Sequence, residues 1–245
     1  MSQRTLTIDI GGTGIKLLPV DEEGRPLAAR HRELTPKPSP PEAVIGLIRE
    51  MVTQQEPFDR VSVGFPGVVR KGVTMTAHNL GVADWRGFDL ERAIAEVCGK
   101  PVRVANDADL QGYGVIEGNG VEIVLTLGTG LGTGLYVDGH LVPNLELAHH
   151  PLTGKKTYEQ AVSDAELDRV GVKKWRKQVW RVIETLEPVF NYELLHVGGG
   201  NAEKLKGPFP DNVRLFSNVE GLAGGVRLWR DGPGAPADRS SHVEG

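Results

Sequence analysis

Leu6-Thr7-Ile8-Asp9-Ile10-Gly11-Gly12-Thr13-Gly14-Ile15-Lys16 is the stretch on which the reading of this chain turns. Leu6 and Ile8 lead into it, and Ile15, Leu17 and Leu18 lead away. That pattern predicts strand, tight turn, strand. Glycines let a backbone come close to a ligand and turn its N–H groups toward an anion. Thr13 adds a hydroxyl and Lys16 a positive charge, so the ligand class that fits is a phosphate. The Walker pattern G-x-x-x-x-G-K-[ST] and the Rossmann pattern G-x-G-x-x-G are both absent here. Read alone, the stretch serves equally as an ordinary glycine hairpin.

Half a chain later the theme returns. Ile123-Val124-Leu125-Thr126-Leu127 is an apolar strand, Gly128-Thr129-Gly130-Leu131-Gly132-Thr133-Gly134 a turn, and Leu135-Tyr136-Val137 a returning strand. Leu-Thr-Ile before one Gly/Thr turn matches Leu-Thr-Leu before the other. Two such hairpins imply two related α/β lobes facing each other across a cleft. Between them a third strand is expected over residues 27–34. Val44, Leu47, Ile48, Met51 and Val52 repeat at helical spacing, with Ser39 as a cap upstream. Val61-Ser62-Val63-Gly64-Phe65 is a short strand. Leu90, Ala93, Ile94, Val97 and Cys98 form a second helical stripe, stopped by Gly99. The next strand, Pro101-Val102-Arg103-Val104, delivers Asn106-Asp107-Ala108-Asp109. Trp175, Val179, Val182, Ile183, Leu186, Val189 and Phe190 mark a long amphipathic helix, which a dimer face could share with the core. The strand from Leu194 ends in Gly198-Gly199-Gly200, and a closing helix is expected around Gly224-Gly225. The lobes are drawn at residues 1–107 and 108–230, followed by a disordered tail over 231–245.

With 245 residues, 39% hydrophobic and 24% charged, the chain can bury a sizeable core. A net charge of −4 argues against a general attraction to nucleic acid. The single cysteine, Cys98, excludes an internal disulfide and a cysteine-cluster zinc site. Met1-Ser2-Gln3-Arg4 leads straight into a strand, and no apolar run is long enough to span a membrane. A cytoplasmic location is the expectation.

Four motifs occur in one order: Asp9-Ile10-Gly11-Gly12-Thr13-Gly14-Ile15-Lys16, Asn106-Asp107-Ala108-Asp109, the run from Leu125 to Gly134, and Glu146-Leu147-Ala148-His149. Together they resemble the ROK sugar kinases, most closely the polyphosphate glucokinase branch. The resemblance implies a two-lobed actin-like ATPase / sugar kinase fold, ribonuclease H-like in each lobe. It also implies phosphoryl transfer from polyphosphate, ATP or both to the 6-hydroxyl of glucose or a similar hexose. ROK kinases commonly carry a cysteine-rich zinc loop after the Glu-x-Gly-His motif. Residues 151–171 hold no cysteine, which agrees with the polyphosphate branch and with no zinc.

Phosphoryl transfer to a sugar needs a proton acceptor, a phosphate cradle and a polar sugar pocket. From the residues alone, Asn106-Asp107 reads as a cap on the following helix. The resemblance implies instead that Asp107 takes the proton from the sugar hydroxyl, leaving Asp109 as the cap. It implies that Asn106, Glu146 and His149 hydrogen-bond sugar hydroxyls, with Gly67 of Pro66-Gly67-Val68 nearby. Without it, Glu146 is a solvated loop acid and His149-His150 a surface pair. The family has glycine where Ala148 stands; were positive φ required there, the loop would have to shift.

Gly11, Gly12, Thr13 and Lys16 form one phosphate wall by resemblance, and Thr129 and Gly130 the other. Gly199 and Gly200 match a turn that approaches the donor; their plain reading is a strand-ending turn. Mg²⁺ is implied with the donor, near Asp9. Lys155-Lys156 and the run Lys173-Lys174-Trp175-Arg176-Lys177 with Arg181 read either as a solvated helix face or as a guide for a polyanion. The partners expected are a hexose, a phosphate donor and a second copy of the chain in a homodimer. The alternative function is a non-catalytic sugar-binding sensor on the same fold.

Overall fold

The computed structural model describes residues 2–77, 80–81 and 83–230; the expected tail over 231–245 lies outside them. The first half runs β1 (Thr5–Ile10), β2 (Gly14–Val20), β3 (His31–Leu34), α1 (Pro41–Val52), β4 (Arg60–Phe65), β5 (Val69–Arg70) and β6 (Val73–Thr74). It continues through α2 (Leu90–Cys98) and β7 (Val102–Asn106) into α3 (Asp107–Tyr113). The second half begins with β8 (Val121–Leu127), β9 (Leu131–Val137) and β10 (His140–Val142), then β11 (Pro151–Thr153) and β12 (Lys156–Thr157). Three helices follow, α4 (Tyr158–Val162), α5 (Asp164–Val170) and α6 (Val172–Phe190). The described residues end in β13 (Leu194–Gly198), β14 (Val213–Leu215), α7 (Asn218–Ala223) and α8 (Arg227–Arg230).

Two five-stranded sheets share one design. The first has the order β3-β2-β1-β4-β7, the second β10-β9-β8-β13-β14. In each, the opening strands pair antiparallel as hairpins and the later strands join parallel through crossovers. The repeat read from Leu-Thr-Ile and Leu-Thr-Leu is therefore a repeat of topology, and the fold is the two-lobed sugar kinase fold.

Alternation along the strands sorts the faces. Leu6, Ile8 and Ile10 pack under α1 and α2 with Val44, Ile48, Leu90 and Ile94. Ile123, Leu125 and Leu127 pack under α6 with Trp175, Val179, Ile183 and Leu186. The opposite faces meet α3, whose Leu110 and Tyr113 join Ala105 of the first sheet and Val124 and Tyr136 of the second in one cluster. Two glycines make room for that helix. A Cβ on Gly64 would lie 3.0 Å from Leu110 Cδ2 and 3.3 Å from Asp107 Cα, and one on Gly132 would lie 2.9 Å from Ala108 Cβ. Helices α7 and α8 close the same face of the first sheet: Leu222 and Val226 cover Leu18 and Val20. Trp229 Nε1 donates to Ser62 Oγ at 2.9 Å, and the Arg60 and Arg103 guanidinium groups stand 5.2 and 4.5 Å from its ring centre.

Three local expectations are corrected. Strand β3 begins at His31, because after Leu27 N–H bonds Pro19 the chain bends through Ala28 and Ala29, weak strand formers, and rejoins β2 at Leu17. The cap of α1 is Pro40 rather than Ser39: Pro41 presets the first turn, and the Ser39 hydroxyl donates to Pro36 O at 2.5 Å. The second glycine turn is only Gly128-Thr129-Gly130. Gly132 and Gly134 lie inside β9, where a Cβ would collide with Thr126 and Ala108 at the first and press on the Tyr136 ring, 3.2 Å away, at the second.

Candidate active site

The first hairpin is closed by Gly11 N–H donating to Gly14 O at 3.1 Å. Behind it, the Thr35 hydroxyl donates to Gly11 O at 2.5 Å and Lys37 Nζ to Gly12 O at 3.0 Å. Register sets Asp9 opposite Lys16, and Lys16 Nζ lies 2.7 Å from Asp9 Oδ2. Asp9 is nearly buried. Lys16 thus lines the cleft and is also half of an ion pair.

The second hairpin repeats the closure, Gly128 N–H donating to Gly130 O at 3.1 Å. Two acids brace it from outside: Asp164 through its own N–H to Gly128 O at 3.0 Å, and Glu159, whose carboxylate accepts from Leu131 N–H at 3.2 Å. Gly199 has φ +87° and sits against the Leu127 backbone, so a side chain there is both strained and blocked. That contact brings Gly199 and Gly200 beside Thr129 and Gly130.

Helix α3 delivers the acids. The Asn106 carboxamide oxygen caps it, accepting from Ala108 N–H at 2.8 Å and Asp109 N–H at 3.3 Å. Its amide donates to Gly67 O at 3.2 Å. Asp107 also accepts from Ala108 N–H, at 2.8 Å. Withdrawal from water pushes the Asp107 carboxyl up to about 7; the charges of Asp9 and Glu146 push the same way, while Ala108 N–H and Lys16 oppose them. The expected cap role of Asp109 does not hold. Asp109 is buried, its Oδ1 is without a hydrogen-bond partner, and its carboxyl is raised to about 8, chiefly by burial. Its Oδ2 accepts from Asn144 N–H at 3.4 Å. Asn144, at φ +62°, in turn accepts from Val69 N–H at 3.0 Å through its own side chain.

Two residues beyond Asn144 comes the loop expected to hold the sugar. His149 Nε2 lies 3.2 Å from Glu146 Oε2, and both side chains are partly exposed to the cleft. Ala148 needs no positive φ: it sits in a single 3-10 turn, Leu147–His149, with its methyl buried in the core under Leu131. The loop keeps its path without glycine. His150 faces away, with its ring 6.1 Å from that of Tyr158.

The two hairpins, Asn106, Asp107, Glu146 and His149 converge on one cavity of about 320 Å³. Asp9, Gly11, Gly12, Thr13 and Lys16 form one wall, and Thr129, Gly130, Gly199 and Gly200 the facing one. Gly67, Asn106, Asp107, Glu146 and His149 line the space between. Sequence reading missed Arg32, Gln111, Glu159 and Asp164 on the same lining. The basic run is not on it: Lys156 is held 2.5 Å from Glu166, and the Arg176 guanidinium donates to Lys204 O. Among the described residues no cluster of three His, Cys, Asp or Glu is arranged to hold a metal. No helix of the described residues is long and apolar enough to cross a membrane.

Residues 5–145 match the sequence model of the ROK family. The chain is 38% identical over 233 residues to the polyphosphate glucokinase of Mycobacterium tuberculosis, covering 89% of this chain and 88% of that protein. Among solved structures, the inorganic polyphosphate/ATP-glucomannokinase of Arthrobacter sp. strain KM superimposes with a TM-score of 0.82 at 31% identity. That match covers 91% of this chain and 97% of the other. A ROK family glucokinase from Streptomyces griseus, solved with glucose and AMPPNP, gives a TM-score of 0.76 at 22% identity over 92% and 98% of the two chains.

Proposed function

The chain belongs to the ROK family, and from that premise we propose that it is a glucokinase drawing its phosphoryl group from inorganic polyphosphate, ATP or both. The observation that carries the reading is Asp107, set between two closed glycine hairpins in a cavity that also holds Asn106, Glu146 and His149. The relatives named polyphosphate glucokinase and polyphosphate/ATP-glucomannokinase support the donor.

In this reading Glu146, His149 and Asn106 hold the sugar through its hydroxyls, and the Gly67 loop borders it. Asp107 accepts the proton of the 6-hydroxyl as that oxygen attacks the terminal phosphorus. The new bond joins the sugar oxygen to phosphorus; the bond that breaks joins phosphorus to the bridging oxygen of the donor. Glucose 6-phosphate leaves with a donor one phosphate shorter. The N–H groups of Gly12, Thr13, Thr129 and Gly130 and the two threonine hydroxyls surround the phosphate oxygens, with Gly11 shaping the turn and Gly199 and Gly200 farther along the donor. A Mg²⁺ brought by the donor phosphates would sit near the nearly buried Asp9 carboxylate and would offset the phosphate charge. The same reading has the enzyme as a cytoplasmic homodimer, its oligomeric part open to a sedimentation measurement.

The test is production of glucose 6-phosphate from glucose with ATP and, separately, with polyphosphate, in the presence of Mg²⁺. Turnover with at least one donor is expected. A folded sample inert with both donors on every common hexose would refute the assignment. Asp107→Asn is expected to lower kcat by about 100-fold to 10,000-fold, the usual worth of a general base.

A further inference from the structure

Arg32 has no task in the reading above. It stands on β3 directly opposite Lys16 of β2; Lys16 stands opposite Asp9 of β1, and Asp9 beside Gly64 of β4. Directly opposed residues project to the same face of a sheet. One row across the first sheet therefore reads Arg32, Lys16, Asp9, Gly64, and Asp107 lies over the last of these. The charges run positive, positive, negative, negative in steps of about 4.8 Å, the spacing between strands.

The cations of this wall keep different company. Lys16 is paired with Asp9, and Lys37 is spent on Gly12 O. Among the described residues Arg32 has no hydrogen-bond or carboxylate partner, although it lines the cleft. Its guanidinium lies along Gly14 instead: a Cβ on Gly14 would stand 2.9 Å from Nε and 3.1 Å from Nη2. Gly14 is not among the residues of positive φ, so its backbone does not require glycine. The guanidinium does, together with the Glu33 carbonyl oxygen, which a Cβ would approach to 3.1 Å.

A planar fork with free N–H groups matches two oxygens of one phosphate. Arg32 is one strand farther from Asp107 than Lys16. With the transferring phosphoryl group at Lys16, the next phosphoryl group along the donor falls to Arg32. That group belongs to the leaving fragment and gains negative charge as the bridging bond breaks, so a cation there acts most strongly in the transition state. We propose that Arg32 grips the penultimate phosphoryl group of the donor and that Gly14 is the seat that lets it do so. This rests on the donor occupying the first hairpin.

The experiment titrates inorganic tripolyphosphate with Mg²⁺ into the sugar-free protein, then measures donor and glucose kinetics on the same variants. Arg32→Gln is expected to weaken tripolyphosphate binding at least about tenfold, the loss of a charge-assisted bidentate contact. It lowers kcat with either donor and leaves the KM for glucose within about twofold. Arg32→Lys keeps the charge without the fork and recovers only part. Gly14→Ala, with the arginine still present, follows Arg32→Gln. Arg92→Gln, which removes an exposed cation paired with Glu96, leaves binding unchanged. Tripolyphosphate binding within twofold of wild type in Arg32→Gln would overturn the proposal, as would no binding to the wild type. So would a KM for glucose that rises in step with that for donor. Should the wild type phosphorylate no sugar yet bind tripolyphosphate through Arg32, the kinase assignment falls and the phosphate site stands.

Discussion

Asp107 is pulled two ways by the place it occupies. A base must be charged to accept a proton, and burial together with Asp9 and Glu146 resists that charge, so its carboxyl titrates at about 7. We expect kcat/KM for glucose to fall about tenfold per pH unit below that value, with a single ascending limb. A profile flat from pH 5 to 8 would remove Asp107 from the role. Stability runs the other way. A carboxyl whose folded value is raised keeps its proton longer folded than unfolded, so stability declines as pH rises from the ordinary aspartate range through the folded value. Asp109, raised to about 8 with an orphaned oxygen, adds to the same decline. Asp109→Asn is expected to raise the Tm at pH 8 by about a few degrees and to change it little at pH 4. Thermal melts at the two pH values decide it. At this scale the sequence displayed chemistry well and neighbours badly. Asn106 and Asp107 were visible as a pair, but which of Asn106 and Asp109 caps the helix depends on where the helix starts, and that is settled by β7 pairing with β4 up to Asn106. Arg32 was invisible because its closeness to Lys16 is a matter of register across a bend, not of spacing.

The loop from Asn144 to His149 shows how an element is held rather than merely connected. Asn144 links α3 to the first half of the chain, its N–H on Asp109 and its side-chain oxygen on Val69 N–H of β5. It does so in a left-handed conformation that asparagine tolerates and alanine resists by about 1–2 kcal/mol. Asn144→Ala loses the strap and gains the strain, so the KM for glucose is expected to rise about tenfold while the KM for donor holds. Equal changes in both would place the strap in general stability instead. Helix α2 was legible because period and stop agree: its apolar stripe ends at a left-handed Gly99. Strand limits were not, since β3 and β9 begin where a partner strand permits. The glycines of β9 look like turn residues until α3 is packed on them.

At the scale of the molecule, the two sheets share a topology but not their closure. Helices α7 and α8 cross back to the first sheet, with Trp229 on Ser62 between two arginines. The end of the chain therefore secures the lobe in which it began. Trp229→Ala is expected to destabilise the protein by about 2–4 kcal/mol, seen as a lower urea midpoint. The loss is predicted to be the same with and without bound sugar, because neither Trp229 nor Ser62 lines the cavity. A variant whose midpoint is unmoved would make α8 an ornament. The duplicated topology was legible from two matched strand-and-turn strings; the return of the chain was not, because a tryptophan near a terminus carries no sign of which sheet it meets.

Gly64 and Gly132, one on each sheet, face the same helix from opposite sides. They work as a feeler gauge: the missing methyl groups fix how far apart the jaws stand. The gap between base and phosphate wall is thus set at two positions that carry no polar side chain, one against Asp107 and one against Thr126. A lineage, or an engineer, wanting a bulkier acceptor has two dials there, and turning either moves a residue of the cavity lining.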